Sequence, residues 1–183
     1  MRTARTFLLL SALLATGCGP DPQPAAAPAD GSSIGRDEAG NASYASEYAA
    51  SGTLKLVDGH YEDSDLTTAD LDPLEARGDL DGDGREDLVV LLVTGAGGSG
   101  VFRDLHLLRR HGNVLQVSPP AFLGDRVDVT ALRIEHGEVV ADLVVQGEND
   151  PLCCPSVPVT YRFRLAGNAL TETSGQRRVF LKQ

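Results

Sequence analysis

Short apolar runs separated by turn residues dominate the chain from residue 53 onward. Leu88–Thr94 is an unbroken apolar run, which is typical of a strand covered on both faces. Dipeptides such as Asp58-Gly59 and Gly112-Asn113 punctuate the other runs and indicate tight turns. The predicted hairpins pair 101–109 with 114–117, 127–135 with 138–146, and 159–165 with 170–173, and the alternating run 53–57 ends in the Asp58-Gly59 turn before 60–62.

This order of hairpins predicts a mainly β fold, an antiparallel meander in a single domain, because alternating βα units are absent. No internal segment keeps a helical period over ten residues. The alternative is an α+β fold, which would require segment 101–110 or 44–50 to be helical. After the apolar run 88–94, the glycines of 95–100 formally fit a dinucleotide-binding pattern, but the sequence from residue 101 predicts a strand rather than a helix, which favours a hairpin loop.

The segment before the β-rich region has a different composition. Residues 19–50 are rich in Pro, Ala, Ser and Gly, which bury too little apolar surface to offset the cost of ordering. We therefore predict that 18–50 is a disordered linker after a lipidated cysteine, and that 51–183 is the globular domain. A short helix beginning at Tyr44 and Tyr48 and docked on the domain is the alternative.

The N-terminus has the organisation of an export signal. Arg2 and Arg5 precede the apolar stretch Phe7–Ala15, and small residues follow it; such a run is too short to span a bilayer, which takes about 20 apolar residues. Residues 1–17 are thus predicted to be a signal peptide. The alternative to a lipoprotein is an ordinary cleaved secretory signal.

The sequence LLATGC, which ends at Cys18, resembles the lipobox of bacterial lipoproteins. The resemblance implies cleavage before Cys18, lipidation of that residue with diacylglycerol and an acyl chain such as palmitate, and a membrane partner reached through the lipid. Gly19 after the cysteine implies the periplasmic side of the outer membrane.

Charge narrows the choice of partners. Without Arg2 and Arg5 the chain has 14 basic and 26 acidic residues, a net charge of −12. Such a balance repels nucleic acid and anionic headgroups, so neither is an expected partner. An envelope protein or a glycan therefore remains as the expected partner, and the excess of negative charge favours the binding of cations.

The sequence DLDGDGRED at 79–87 carries the strongest chemical signal. Carboxylates alternate along it, and a glycine permits a sharp turn at its sixth position, an arrangement suited to the six to eight oxygen ligands of Ca²⁺. Val90 stands where an EF-hand needs its Glu, and a strand follows. The predicted structural calcium site comprises Asp79, Asp81, Asp83, the backbone carbonyl of Arg85, and Asp87. The alternative is an acidic turn that binds no ion.

GDLDGDGREDLVVL also resembles the strand-flanked calcium loops of FG-GAP and integrin-propeller repeats. That resemblance implies coordination by the corresponding aspartates. It occurs once, so it does not imply a propeller, which needs several copies.

Cys153 and Cys154 are the only cysteines besides Cys18. Their adjacent Cα atoms lie about 3.8 Å apart, below the roughly 4.4–6.8 Å that disulfides prefer. In an oxidising compartment a vicinal disulfide and two buried thiols are both open, and a copper or zinc site is a third reading. Pro151, Pro155 and Pro158 bracket the pair and predict a stiff surface loop.

The order of the pieces 78–84, 88–93, 97–100, 123–127 and 153–155 resembles a group of uncharacterised bacterial envelope lipoproteins. We therefore expect a lipid-anchored protein with a binding or structural role and no catalytic site. The alternatives are an envelope hydrolase, which would need a nucleophile, a base and an orienting group in one cleft, and an enzyme-inhibitor module, which would insert a rigid loop such as 147–158 into a partner.

Overall fold

Antiparallel strands make up most of the chain that the computed structural model describes, which is residues 33–174. One helical turn, α1, spans Arg36–Ala39. The strands are β1 (Ser43–Ala45), β2 (Thr53–Lys55), β3 (His60–Glu62), β4 (Thr67–Gly78), β5 (Asp87–Ala96), β6 (Val101–His111), β7 (Val114–Val117), β8 (Ala121–Asp125), β9 (Asp128–Glu135), β10 (Glu138–Val145), β11 (Val157–Ala166) and β12 (Ala169–Ser174). The predicted mainly β fold is confirmed, and neither 44–50 nor 101–110 is helical.

The strands form two large sheets and one small one. The larger sheet has the order β3-β4-β5-β6-β7, and β8 joins it by pairing with β6 beside β7. A second sheet runs β12-β11-β10-β9, and β1 pairs with β2. Within residues 33–174, no helix has the length and apolar character needed to cross a membrane.

Strand β5 is the centre of the domain and is buried on both faces, as its unbroken apolar run predicts. Val89 and Leu91 point into a core shared with the four-stranded sheet, where Leu143 and Phe163 oppose them. The other face of β5 packs against residues 34–50, here called the N-terminal segment. Successive side chains of a strand alternate between faces, so one strand supplies both cores.

The N-terminal segment corrects our domain boundary. Ile34, Ala39, Tyr44 and Leu54 are fully buried and lie in the core cluster on the second face of β5. The predicted linker 18–50 is therefore wrong for residues 34–50, which fold onto the sheet. Residues 18–32 of that linker, with Cys18, and the predicted signal peptide lie outside the described residues, as do residues 175–183.

Strand β4 is the longest strand between residues 33 and 174, and the sequence pattern did not predict it. Pro73 interrupts its ladder: the pairing with β5 shifts register between Leu71 and Glu75, because proline cannot donate a ladder hydrogen bond. Acidic residues on both sides of that irregularity hide the alternation that identifies strands.

Candidate functional site: an acidic loop

The acidic loop, residues 79–86, connects β4 to β5. Gly82 and Gly84 have φ values of 78° and 81°, a region that favours glycine. The turn closes on one carboxylate, since Asp79 accepts the N–H of Gly82 at 2.7 Å and that of Gly84 at 3.0 Å. Asp79 therefore lies inside the turn, where the backbone amides orient it.

Three of the four predicted carboxylates converge. Asp79, Asp81 and Asp87 each offer one oxygen, and these oxygens all lie within 4.8 Å of one another. Asp87 is the first residue of β5 and is buried, and its Oδ2 accepts the N–H of Leu80 at 2.9 Å. The group thus has a rigid member on the sheet and two members on the loop.

Burial is the main cause that raises the pKa of Asp87, to about 6, and the charges of Asp81 and Asp83 raise it further. The Leu80 hydrogen bond and the Arg109 guanidinium act in the opposite direction. A cation placed among the carboxylates would relieve both the burial cost and the repulsion.

The structure does not place Asp83 in the converging group. Its Oδ1 accepts the N–H of Arg85 at 2.8 Å, so it stabilises the turn. The side chain of Arg85 points away, with its guanidinium donating to the carbonyl of Gly112 at 3.3 Å. Of the five predicted ligand residues, three are therefore brought together through their side chains.

Arg109, on β6, is a neighbour that the sequence pattern did not identify. Its guanidinium lies 3.1 Å from Oδ2 of Asp81 and 2.9 Å from Oδ1 of Asn168. The pairing of β6 with β5 brings it to the loop, from 28 residues away in sequence. It neutralises part of the charge that the three carboxylates concentrate.

The donor set fits a hard cation. All three converging groups are carboxylates, and oxygen ligands select Ca²⁺, Mg²⁺ or Mn²⁺ over softer metals. If an ion binds there, Asp79, Asp81 and Asp87 would hold it, and it would join the loop to the start of β5.

A second feature is the cysteine loop, residues 146–156, between β10 and β11. Asp150 organises it by accepting the N–H of Gly147 at 2.7 Å and the N–H and hydroxyl of Ser156, each at 2.8 Å. These hydrogen bonds, that of Gly147 foremost, lower the pKa of Asp150. Cys153 and Cys154 form a vicinal disulfide in this loop and are exposed.

A shallow polar cleft of about 380 Å³ lies between the N-terminal segment and the edge of the larger sheet. His60 and Asp70 line it, with Nδ1 of the histidine 2.7 Å from Oδ1 of the aspartate. Cross-strand pairing of β3 with β4 makes this contact, which sequence spacing did not predict. The lining residues are Arg36, Asp37, Gly40, Asn41, Asp58, Gly59, His60, Asp70 and Leu71.

The fold and the loop together define an antiparallel β protein with an acidic turn at one end of its central strand. Comparison with protein-family models, with curated proteins and with solved structures finds no match to this chain. Function is therefore inferred from the residues and their geometry.

Proposed function

We propose that this protein is an outer-membrane-anchored periplasmic lipoprotein with a non-catalytic binding or structural role, and that calcium stabilises its acidic loop. The observation that carries the calcium part is the convergence of Asp79, Asp81 and Asp87 within 4.8 Å. The lipid anchor rests on the N-terminal sequence that ends in Cys18.

The calcium part has a direct thermal test. An ion that binds only the folded state stabilises it by mass action, by about 2.7 kcal/mol at 100 times the dissociation constant. Calcium is therefore expected to raise the melting temperature of the protein relative to chelator, and Asp81→Asn with Asp87→Asn to abolish the increment. Asp83→Asn is the matched control, because it removes one loop charge outside the converging group. Equal melting curves with calcium and with chelator would reduce 79–87 to an acidic turn.

A second candidate function is the inhibitor module, which the cysteine loop favours. Three hydrogen bonds to Asp150 hold this loop, and Leu152, near its tip, is 71% exposed. A rigid loop that presents an apolar side chain suits insertion into a partner's cleft, because little conformational entropy is lost. Leu152→Asn should abolish binding to such a partner, and Val114→Asn, at a similarly exposed site, should not.

A further inference from the structure

A second polar region lies toward the other end of β5 and surrounds the carboxylate of Asp104. This residue is on β6 and pairs with Leu92. It is 6% exposed, yet among residues 33–174 its carboxylate has no hydrogen bond and no ion pair. A buried charge without a partner is costly, so such groups are uncommon unless they serve a function.

A neighbouring carboxylate adds to that cost. Burial foremost, and the charge of Glu47 next, raise the pKa of Asp104 to about 6. The group is therefore ionised at neutral pH despite its surroundings. Glu47 is exposed and, after burial and the charge of Asp104, also raises the pKa of Tyr48.

Aromatic rings stand beside the two carboxylates. Tyr48 stacks on Phe102 with ring centroids 4.3 Å apart and planes 9° from parallel. Phe122 lies 6.5 Å from Phe102, tilted by 44°, and is 38% exposed. Phe102 is two residues before Asp104 on β6, so both side chains lie on the same face of the sheet.

A β-bulge in β8 completes the arrangement. Phe122 pairs with Asp104 and Asp125 pairs with Phe102, with a register shift between the two pairs. The shift puts Phe122 and Asp125 on one face, although they are an odd number of positions, three, apart. Gly124, within the bulge, has a φ of 152°, and a Cβ there would lie 2.5 Å from a methyl carbon of Val127, so the position requires glycine. Bulges of this kind often re-aim side chains near functional sites.

Two further polar side chains of this region, Asp125 and Thr94, differ in whether they have a partner. Asp125 already has a cation, since one of its oxygens lies 3.1 Å from the Arg126 guanidinium. Thr94 pairs with Phe102 and shares its face; its hydroxyl is fully buried and has no hydrogen-bond partner in the described part of the chain. The carboxylate of Asp104 is thus left for a ligand that brings hydrogen-bond donors and positive charge, whereas the fully buried hydroxyl of Thr94 is out of a ligand's reach.

We propose that the aromatic–acidic patch, formed by Glu47, Tyr48, Phe102, Asp104 and Phe122, binds the ammonium group of a small organic cation. Carboxylates neutralise the charge, and ring faces attract alkylammonium groups through their quadrupoles. Calcium would require six to eight oxygens, and aromatic rings supply none. This proposal depends on neither the lipid anchor nor the acidic loop. The acidic loop lies at the start of β5, whereas Thr94 lies near the end of that strand.

The test is a titration of the full-length protein with butylammonium chloride and with choline chloride, against sodium chloride at equal ionic strength. Ring resonances of Tyr48 and Phe102 are followed by NMR. Saturable shifts are expected with at least one amine, and Asp104→Asn should weaken that affinity at least tenfold. Asp128→Asn removes an exposed carboxylate on β9 and should leave the affinity within twofold. Tyr48→Leu keeps the carboxylates and should weaken binding about threefold.

The outcomes separate the alternatives. Asp104→Asn removes an unpaired buried charge, so its melting temperature at pH 7 should equal or exceed that of the parent, and lost binding then reflects the site. Absence of saturable shifts with both amines would overturn the proposal, as would equal affinity in the parent and Asp104→Asn. Ring shifts with calcium chloride in place of amines would point to a metal site there instead and would also overturn it.

Discussion

The hydroxyl of Tyr44 donates a 2.8 Å hydrogen bond to the carbonyl of Ala39, and both residues are fully buried. Tyr44 also lies edge-on to the ring of His106 on β6, with ring centroids 5.0 Å apart. One side chain thus connects α1, β1 and the larger sheet. The N-terminal segment, which contains Tyr44, forms a layer of the domain and covers the core on the second face of β5.

The first prediction follows from that layer. A chain that begins at Ser33 should fold cooperatively, whereas one that begins at Ser51 should not, because the shorter chain exposes Leu88, Val90, Leu92 and Leu108 to water. Thermal unfolding followed by circular dichroism measures the difference.

Point substitutions provide the control for this truncation. Tyr44→Phe should lower the free energy of unfolding by about 1 kcal/mol, the usual net value of one hydrogen bond. Tyr61→Phe removes a hydroxyl that bonds Asp63 in a partly exposed position and should cost less. If a chain starting at Ser51 melted like the longer one, the N-terminal layer would have no role in stability.

The second prediction concerns pH and Asp104. Its pKa is about 6 in the folded chain against 3.8 in a model peptide, so between these values the folded state holds a proton that the unfolded state has released. This contribution to the free energy of unfolding is therefore present at low pH and is lost as pH rises through 6. A shift of this size corresponds to an upper limit of about 3 kcal/mol.

His106 acts in the opposite direction. Burial lowers its pKa to about 4 from 6.5, so the unfolded state binds the proton first and stability rises with pH across that interval. The pH dependences that Asp104 and His106 give to the free energy of unfolding overlap. The contribution of Asp104 is therefore measured as a difference between a variant and the parent. The free energy of unfolding of Asp104→Asn minus that of the parent should increase from pH 4 to pH 7, as measured by urea denaturation. A difference that does not vary with pH would show that Asp104 is not the group responsible.

Much of the fold could be predicted because its signals are local. The apolar run of β5 required burial on both faces, and Asp58-Gly59 supplied the left-handed backbone of a tight turn, with φ values of 50° and 86°. The N-terminal layer escaped prediction because alanines pack against a sheet without an apolar pattern of their own. Ala39, Ala42 and Ala49 are buried, yet their composition is that of a linker.

The candidate sites, like the fold, could be predicted only where their signals are local in the sequence. Alternating carboxylates from 79 to 87 marked the acidic loop, but the spacing could not show that Asp83 would stabilise the turn while Asp87 joined the group from the sheet. The aromatic–acidic patch was invisible in the sequence because Tyr48, Phe102 and Phe122 are distant from one another. Strand pairing and one bulge bring them together.

The third prediction tests the lipid anchor. Cys18→Ala should leave the chain unprocessed or soluble and should abolish labelling by palmitate, because the thioether has no sulfur on which to form. Cys153→Ala with Cys154→Ala is the matched control and should retain both processing and label. Membrane location alone is not decisive, since an uncleaved signal can also hold the chain there. A Cys18→Ala chain that still takes up palmitate would contradict the lipoprotein assignment.

The last prediction concerns the cysteine loop. A disulfide between neighbours closes almost no chain, so it constrains the unfolded state little and should add little to global stability. Its effect should be local, because Cys153 and Cys154 lie within the segment that Asp150 organises and the N–H of Cys154 donates to the carbonyl of Pro151 at 2.9 Å. A mild phosphine reductant should therefore accelerate cleavage by a glutamate-specific protease after the exposed Glu148 several-fold, while cleavage after Glu86 in the acidic loop stays constant. The melting temperature should change by no more than about 2 °C.

Alkylation of untreated protein before digestion, followed by mass spectrometry, checks the premise that Cys153 and Cys154 are bridged. Two alkylated cysteines in one peptide would mean that no bridge exists in the isolated protein, and any change in cleavage would then have another origin.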